Sequence, residues 1–85
     1  MSYHILVPKR VQRELDALPD TIYERIREQI RELSDTPRPA GVRKLQGSSR
    51  SYRVRVGTYR IVYEIDDAAR EILLITVADR KDVYR

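Results

Sequence analysis

The 85-residue chain has no cysteine, no tryptophan, no phenylalanine and a single histidine, His4. Without cysteine there can be no disulfide and no thiolate metal site. One histidine leaves no basis for zinc chemistry, so neither a metal nor a cofactor is expected. No apolar run approaches the roughly 20 residues a membrane span requires. The N-terminus has no basic segment followed by an apolar one, as a signal peptide would. These absences point to a cytoplasmic protein with no membrane partner. Three glycines and four prolines leave few breaks, and the length fits one domain, residues 1–85.

The most informative absence is acidic. Residues 37–63 carry seven basic side chains (Arg38, Arg43, Lys44, Arg50, Arg53, Arg55, Arg60) and no aspartate or glutamate. Residues 1–36 hold six basic and seven acidic side chains, and residues 64–85 hold four and six. The net charge of +4 therefore arises in the middle of the chain. A one-sign block in an otherwise balanced protein is the footprint of a polyanion site.

Within that block Ser51 to Glu64 alternates with a period of two. Tyr52, Val54 and Val56 point one way, with Arg53 and Arg55 opposed to them. After Gly57-Thr58 the alternation resumes, with Tyr59, Ile61, Tyr63 and Ile65 on one side and Arg60, Val62 and Glu64 on the other. Two such runs joined by two residues predict a tight β-hairpin. Its register sets Val56 against Tyr59, Arg55 against Arg60, Val54 against Ile61 and Arg53 against Val62. Like charges directly opposite are destabilising, by up to about 1 kcal/mol. Three guanidiniums on one rigid face make sense where an anion binds, because their forks match phosphate geometry. A charged solvent face is the plainer alternative.

The rest of the chain supplies a cover for the apolar face. Tyr3, Ile5 and Val7 suggest a first strand. Val11, Leu15 and Leu18 form one helical stripe, and Ile22, Ile26, Ile30 and Leu33 form a second. Thr21 to Glu24 reads as a capping box. Residues 35–41 break the pattern, and Val42 to Leu45 reads as a short extended piece. Glu71 to Val77 is apolar on both faces, which marks an interior strand. The expected fold is α+β, a single β-α-α-β-β-β domain with a helical hairpin on a mainly antiparallel four-stranded sheet. Its second face would be partly open and would carry Arg53, Arg55 and Arg60.

Four motifs in this order carry a resemblance: Lys44-Leu45-Gln46-Gly47, Tyr52-Arg53-Val54-Arg55, Tyr59-Arg60-Ile61-Val62-Tyr63 and Arg80-Lys81-Asp82-Val83-Tyr84. Together they resemble the RelE toxins of the RelE/ParE toxin–antitoxin superfamily over nearly the whole chain. The resemblance implies a ribosome-dependent endoribonuclease that cuts messenger RNA in the 30S A site. The 2′-hydroxyl of the RNA attacks the adjacent phosphate, giving a cyclic phosphate and a free 5′-hydroxyl. By position, the resemblance makes Arg53, Arg55, Arg60, Arg80 and Tyr84 the catalytic candidates. Arg60 matches a phosphate clamp, Arg80 an arginine near the leaving group, and Tyr84 a terminal tyrosine that orients the nucleotide. Arg43, Lys44, Arg50 and Lys81 are further candidates for contacting RNA or ribosome.

Two departures bear on the chemistry. Arg53 and Arg55 stand where relatives have lysines, and arginine does not lose its proton. Tyr84 then becomes the better proton-transfer group, with its pKa lowered by neighbouring arginines. Asp79 stands before Arg80 where many relatives have histidine or lysine. The resemblance also implies an acidic antitoxin segment that folds on binding, landing on Val11, Leu15, Leu18, Arg53 and Arg60. Operator DNA would be reached only through that antitoxin. Two other functions stay open: a ParE-like toxin that inhibits DNA gyrase by binding, and a catalytically weakened fold kept as a binding module.

Overall fold

The hairpin forms as the alternation predicts. In a computed structural model, which describes residues 2–79, strand β3 (Ser51–Val56) turns through Gly57-Thr58 into β4 (Tyr59–Asp66). The register is the expected one: Val56 opposite Tyr59, Arg55 opposite Arg60, Val54 opposite Ile61 and Arg53 opposite Val62. Gly57 sits at φ +60°, in the left-handed region that a two-residue turn needs.

The remaining elements are β1 (His4–Leu6), α1 (Lys9–Asp16), α2 (Asp20–Asp35), β2 (Arg43–Lys44) and β5 (Glu71–Asp79). The sheet order is β1-β5-β4-β3-β2. All pairings are antiparallel except β1 with β5, which is parallel. The sheet thus has five strands rather than four, because the short piece around Arg43 pairs with β3. Two residues are too few to show a period of their own.

Both helices cover one face. Val11, Leu15, Ile26 and Leu33 are buried with Tyr52, Val54, Ile61, Tyr63, Ile65, Ile72, Leu74 and Val77. Those of the helices and the hairpin are residues that the two periodicities set aside for a core. The expected capping box does not form. Helix α2 begins at Asp20, after Pro19 in an extended conformation with no side-chain cap. Thr21 therefore lies inside the first turn, and proline's fixed φ starts the helix.

An aromatic and ionic tie closes the loop after α2. Tyr63 donates to the Pro37 carbonyl at 2.8 Å, and its ring stacks on Tyr52 with centroids 6.1 Å apart. Burial pushes the Tyr63 phenol up to about 12. Arg38 lies over the Tyr52 ring, 5.1 Å from its centroid. It also donates to both Asp67 carboxylate oxygens, at 2.9 and 3.4 Å. Those bonds, with a third from the Tyr3 hydroxyl at 2.7 Å, hold the Asp67 carboxyl below its ordinary value.

Candidate nucleic-acid interface

The sheet face away from the helices carries the arginines. Strand β2 adds one more, since Arg43 lies directly opposite Arg53. Two like-charged cross-strand pairs, Arg43–Arg53 and Arg55–Arg60, thus stand side by side. Gly41, Val42, Arg43, Arg53 and Arg55 line an open groove of about 400 Å³. Among the described residues the ion pairs are Arg31–Glu28 and Arg38–Asp67, and neither reaches this groove. The Arg53 Nε is buried with no hydrogen-bond partner among those residues. A buried, unmatched donor costs about 1–3 kcal/mol, more when charged.

The seven cations of the basic block therefore divide by role. Arg38 is tied to Asp67 and Tyr52. Arg43, Lys44, Arg50 and Arg55 are exposed, and Arg53 is half-buried. Arg60 corrects an expectation: it has the predicted register and face, but it is 1 % exposed and is no part of an open surface. Arg60 and Arg55 also differ in strand position. The strand of Arg60, β4, is the middle one, flanked by β3 and β5. Arg55 lies on β3 beyond the reach of β2, which pairs only with Tyr52 and Arg53.

Val11 and Leu15 correct a second expectation. They are 0 % and 7 % exposed, because their stripe faces the sheet, where α1 packs on β5. They offer no landing surface to another chain. Leu18 differs, since it lines an open groove of about 420 Å³ with Glu14, Ala17, Tyr59, Val77, Ala78 and Asp79. Arg80, Lys81 and Tyr84 lie outside the described residues. Sequence reading missed the pairing of Arg43 with Arg53. Only the absence of acids around Arg43 hinted that it belonged to the same cluster.

Known proteins resemble this chain in sequence and in fold. Residues 5–84 match the family model described as ParE toxin of type II toxin–antitoxin system, parDE. The toxin RelG of Mycobacterium tuberculosis is 30% identical, covering 100% of this chain and 99% of that protein. The mRNA interferase toxin RelE of Escherichia coli is 27% identical, covering 99% and 92%. Among solved structures, the archaeal RelE–RelB complex of Pyrococcus horikoshii matches with a TM-score of 0.84 at 30% identity, over 94% of this chain and 97% of that one. Its helices, its mixed five-stranded sheet and these matches place the chain in the RelE/ParE superfamily, as a RelE-type toxin of a type II toxin–antitoxin system.

Proposed function

We propose that this toxin is an endoribonuclease that cuts messenger RNA in the ribosomal A site. The observation that carries the reading is the groove of Arg43, Arg53 and Arg55, three guanidiniums without an ion-pair partner among the described residues. A phosphate oxygen in that groove would match the buried Arg53 Nε and offset the repulsion between the paired arginines. The E. coli relative named an mRNA interferase supports the same chemistry.

In this reading the 2′-oxygen attacks the neighbouring phosphorus. A 2′,3′-cyclic phosphate forms as the bond to the 5′-oxygen breaks. Arg53 and Arg55 stabilise the extra negative charge on the phosphorane. Neither can act as a base, because guanidinium keeps its proton. Tyr84 relays the 2′-hydroxyl proton to the departing 5′-oxygen, and Arg80 offsets the negative charge that develops there. An antitoxin with an acidic segment holds the toxin inactive by covering the arginine groove and the Leu18 groove. RelB bound to RelE in the P. horikoshii complex supports that pairing.

The test is 5′-end mapping of a defined message on translating ribosomes, with wild type, Arg55→Gln and Tyr84→Phe. A-site cuts that require the ribosome and weaken in both variants are expected. Intact message with folded wild-type protein would sink the proposal. The description of the matching family as ParE favours a second reading, gyrase inhibition by binding. Loss of supercoiling activity with the message left intact would establish it instead.

A further inference from the structure

Strand β5 changes register partway along. Tyr63 pairs with Leu74, yet Val62 pairs with Thr76, so Ile75 is an extra residue in a β-bulge. An unbulged ladder continued from Tyr63–Leu74 would set Ile61 against Thr76 and Arg60 against Val77. The bulge instead sets Ile61 against Val77, which is buried, and Arg60 against Ala78. It thus keeps a hydroxyl out of the core and places the smallest side chain of the strand beside Arg60.

The bulge is braced from outside the sheet. Strand β1 pairs with Glu71 to Leu73, so among the described residues no strand lies beside the outer edge of β5 beyond Leu73. Helix α1 takes that place with two side chains one turn apart. Arg10 donates to the Ile75 carbonyl. Glu14 accepts from the Val77 backbone N–H at 2.9 Å and from the Thr76 hydroxyl at 3.0 and 3.1 Å. Three consecutive bulge residues are thereby held by one helix face.

We propose that Glu14, with Arg10, is a positioning residue for the arginine site: it fixes the phase of β5, and through Ala78 it fixes the seat of Arg60 and its neighbour Arg55. Neither residue lines the arginine groove. The use made of the site rests on the nuclease reading, but the positioning itself does not, and the experiment separates the two.

The test compares Glu14→Ala, Glu14→Gln and Thr76→Val by amide hydrogen exchange at Val77 and by the side-chain NMR resonances of Arg55 and Arg60 in the free protein. Cleavage kinetics on ribosomes follow. In Glu14→Ala, faster exchange at Val77 and shifted arginine resonances are expected. Cleavage should fall roughly 10- to 100-fold in kcat with KM little changed, as for a small misplacement of a reacting group. Glu14→Gln keeps a carbonyl acceptor and should recover most of both. Thr76→Val should show a smaller change in the same direction, and it remains informative if Glu14→Ala does not fold. Unchanged Val77 exchange and arginine resonances in Glu14→Ala would overturn the proposal whether or not the protein cuts RNA. So would an equal loss in Glu14→Gln. Absence of cleavage by wild type, with the NMR changes present, would overturn only the nuclease reading.

Discussion

Replacing Arg55 by glutamine should make this protein more stable and, on the proposed nuclease reading, weaken its binding of RNA. Arg55 lies directly opposite Arg60, and a like-charged cross-strand pair costs about 0.2–1 kcal/mol. Glutamine keeps most of the aliphatic stem and removes the charge. For a domain of this size 1 kcal/mol shifts Tm by about 4–8 °C, so the gain should be about 1 to 8 °C. Arg55 is exposed, so the repulsion it feels is partly screened by salt, over about 10 Å at 0.1 M. The gain should therefore be largest at low ionic strength and shrink as salt rises. Thermal unfolding followed by circular dichroism at two salt concentrations measures this directly. Arg31→Gln is the control, because Arg31 pairs with Glu28 at 3.3 Å on the surface of α2 and should lose a few tenths of a kcal/mol at most. Binding of a single-stranded RNA should weaken in Arg55→Gln, with the slope of log affinity against log salt reduced by about 0.7. A Tm that falls at low salt, or a gain indifferent to salt, would refute the claim that this pair is repulsive. An unchanged RNA slope would refute its role in the groove.

Other measurements probe the frame around the site. Leu15→Ala should lower stability by about 2–5 kcal/mol in urea titration, the usual cost of emptying a core position, and should leave the affinity of the folded protein for an antitoxin peptide unchanged. Tyr63→Phe leaves the Pro37 carbonyl without its partner and should cost about 1–3 kcal/mol. Because burial raises the Tyr63 phenol to about 12, the folded state holds a proton there that the unfolded chain releases near pH 10. That contribution is complete below pH 10 and is lost as pH rises towards 12, so the alkaline unfolding of Tyr63→Phe should depend less steeply on pH. The Asp67 carboxyl is held down by Arg38 and Tyr3, so its NMR titration midpoint should lie below that of a free aspartate. Its stabilising effect is present above the unfolded carboxylate pKa and fades as pH falls through the folded value. In Arg38→Gln the midpoint should move back up.

How much of this could be read from the chain depended on whether a stretch had a period. Strands β3 and β4 alternate so regularly that side-chain faces, turn and register all followed. The helical stripes through Val11–Leu15 and Ile26–Leu33 likewise named core residues. Glu71 to Val77 did not show its phase, because it is apolar on both faces and a bulge leaves no mark in such a run. Strand β2 was too short to count as more than an extended piece. The burial of Arg60 was hidden for another reason. Alternation says which face a side chain takes, but only the assembled fold says whether that face is open at that point. Val11 and Leu15 fitted a packed stripe or a landing site equally well in sequence, and the contact of α1 with β5 decides for packing.

Like charges also meet at the other end of the same sheet, where Asp66 lies opposite Glu71. That clash has a local reason: Asp66 sits at a turn and its carboxylate accepts from the Ala69 N–H at 3.1 Å, an arrangement aspartate favours on its own. Nothing comparable accounts for Arg43 against Arg53. Neither is at a turn, neither pairs with an acid among the described residues, and the Arg53 Nε is buried without a partner there. A chain selected for stability alone would have placed a threonine or glutamate at one of these positions. Local conflict of this kind, beside a bulge and on an otherwise consistent fold, is where function is expected to override stability. The conflict also specifies its own relief. A ligand that relieved it would be anionic and rich in acceptors on one side, as the proposed reading of the groove as an RNA site requires.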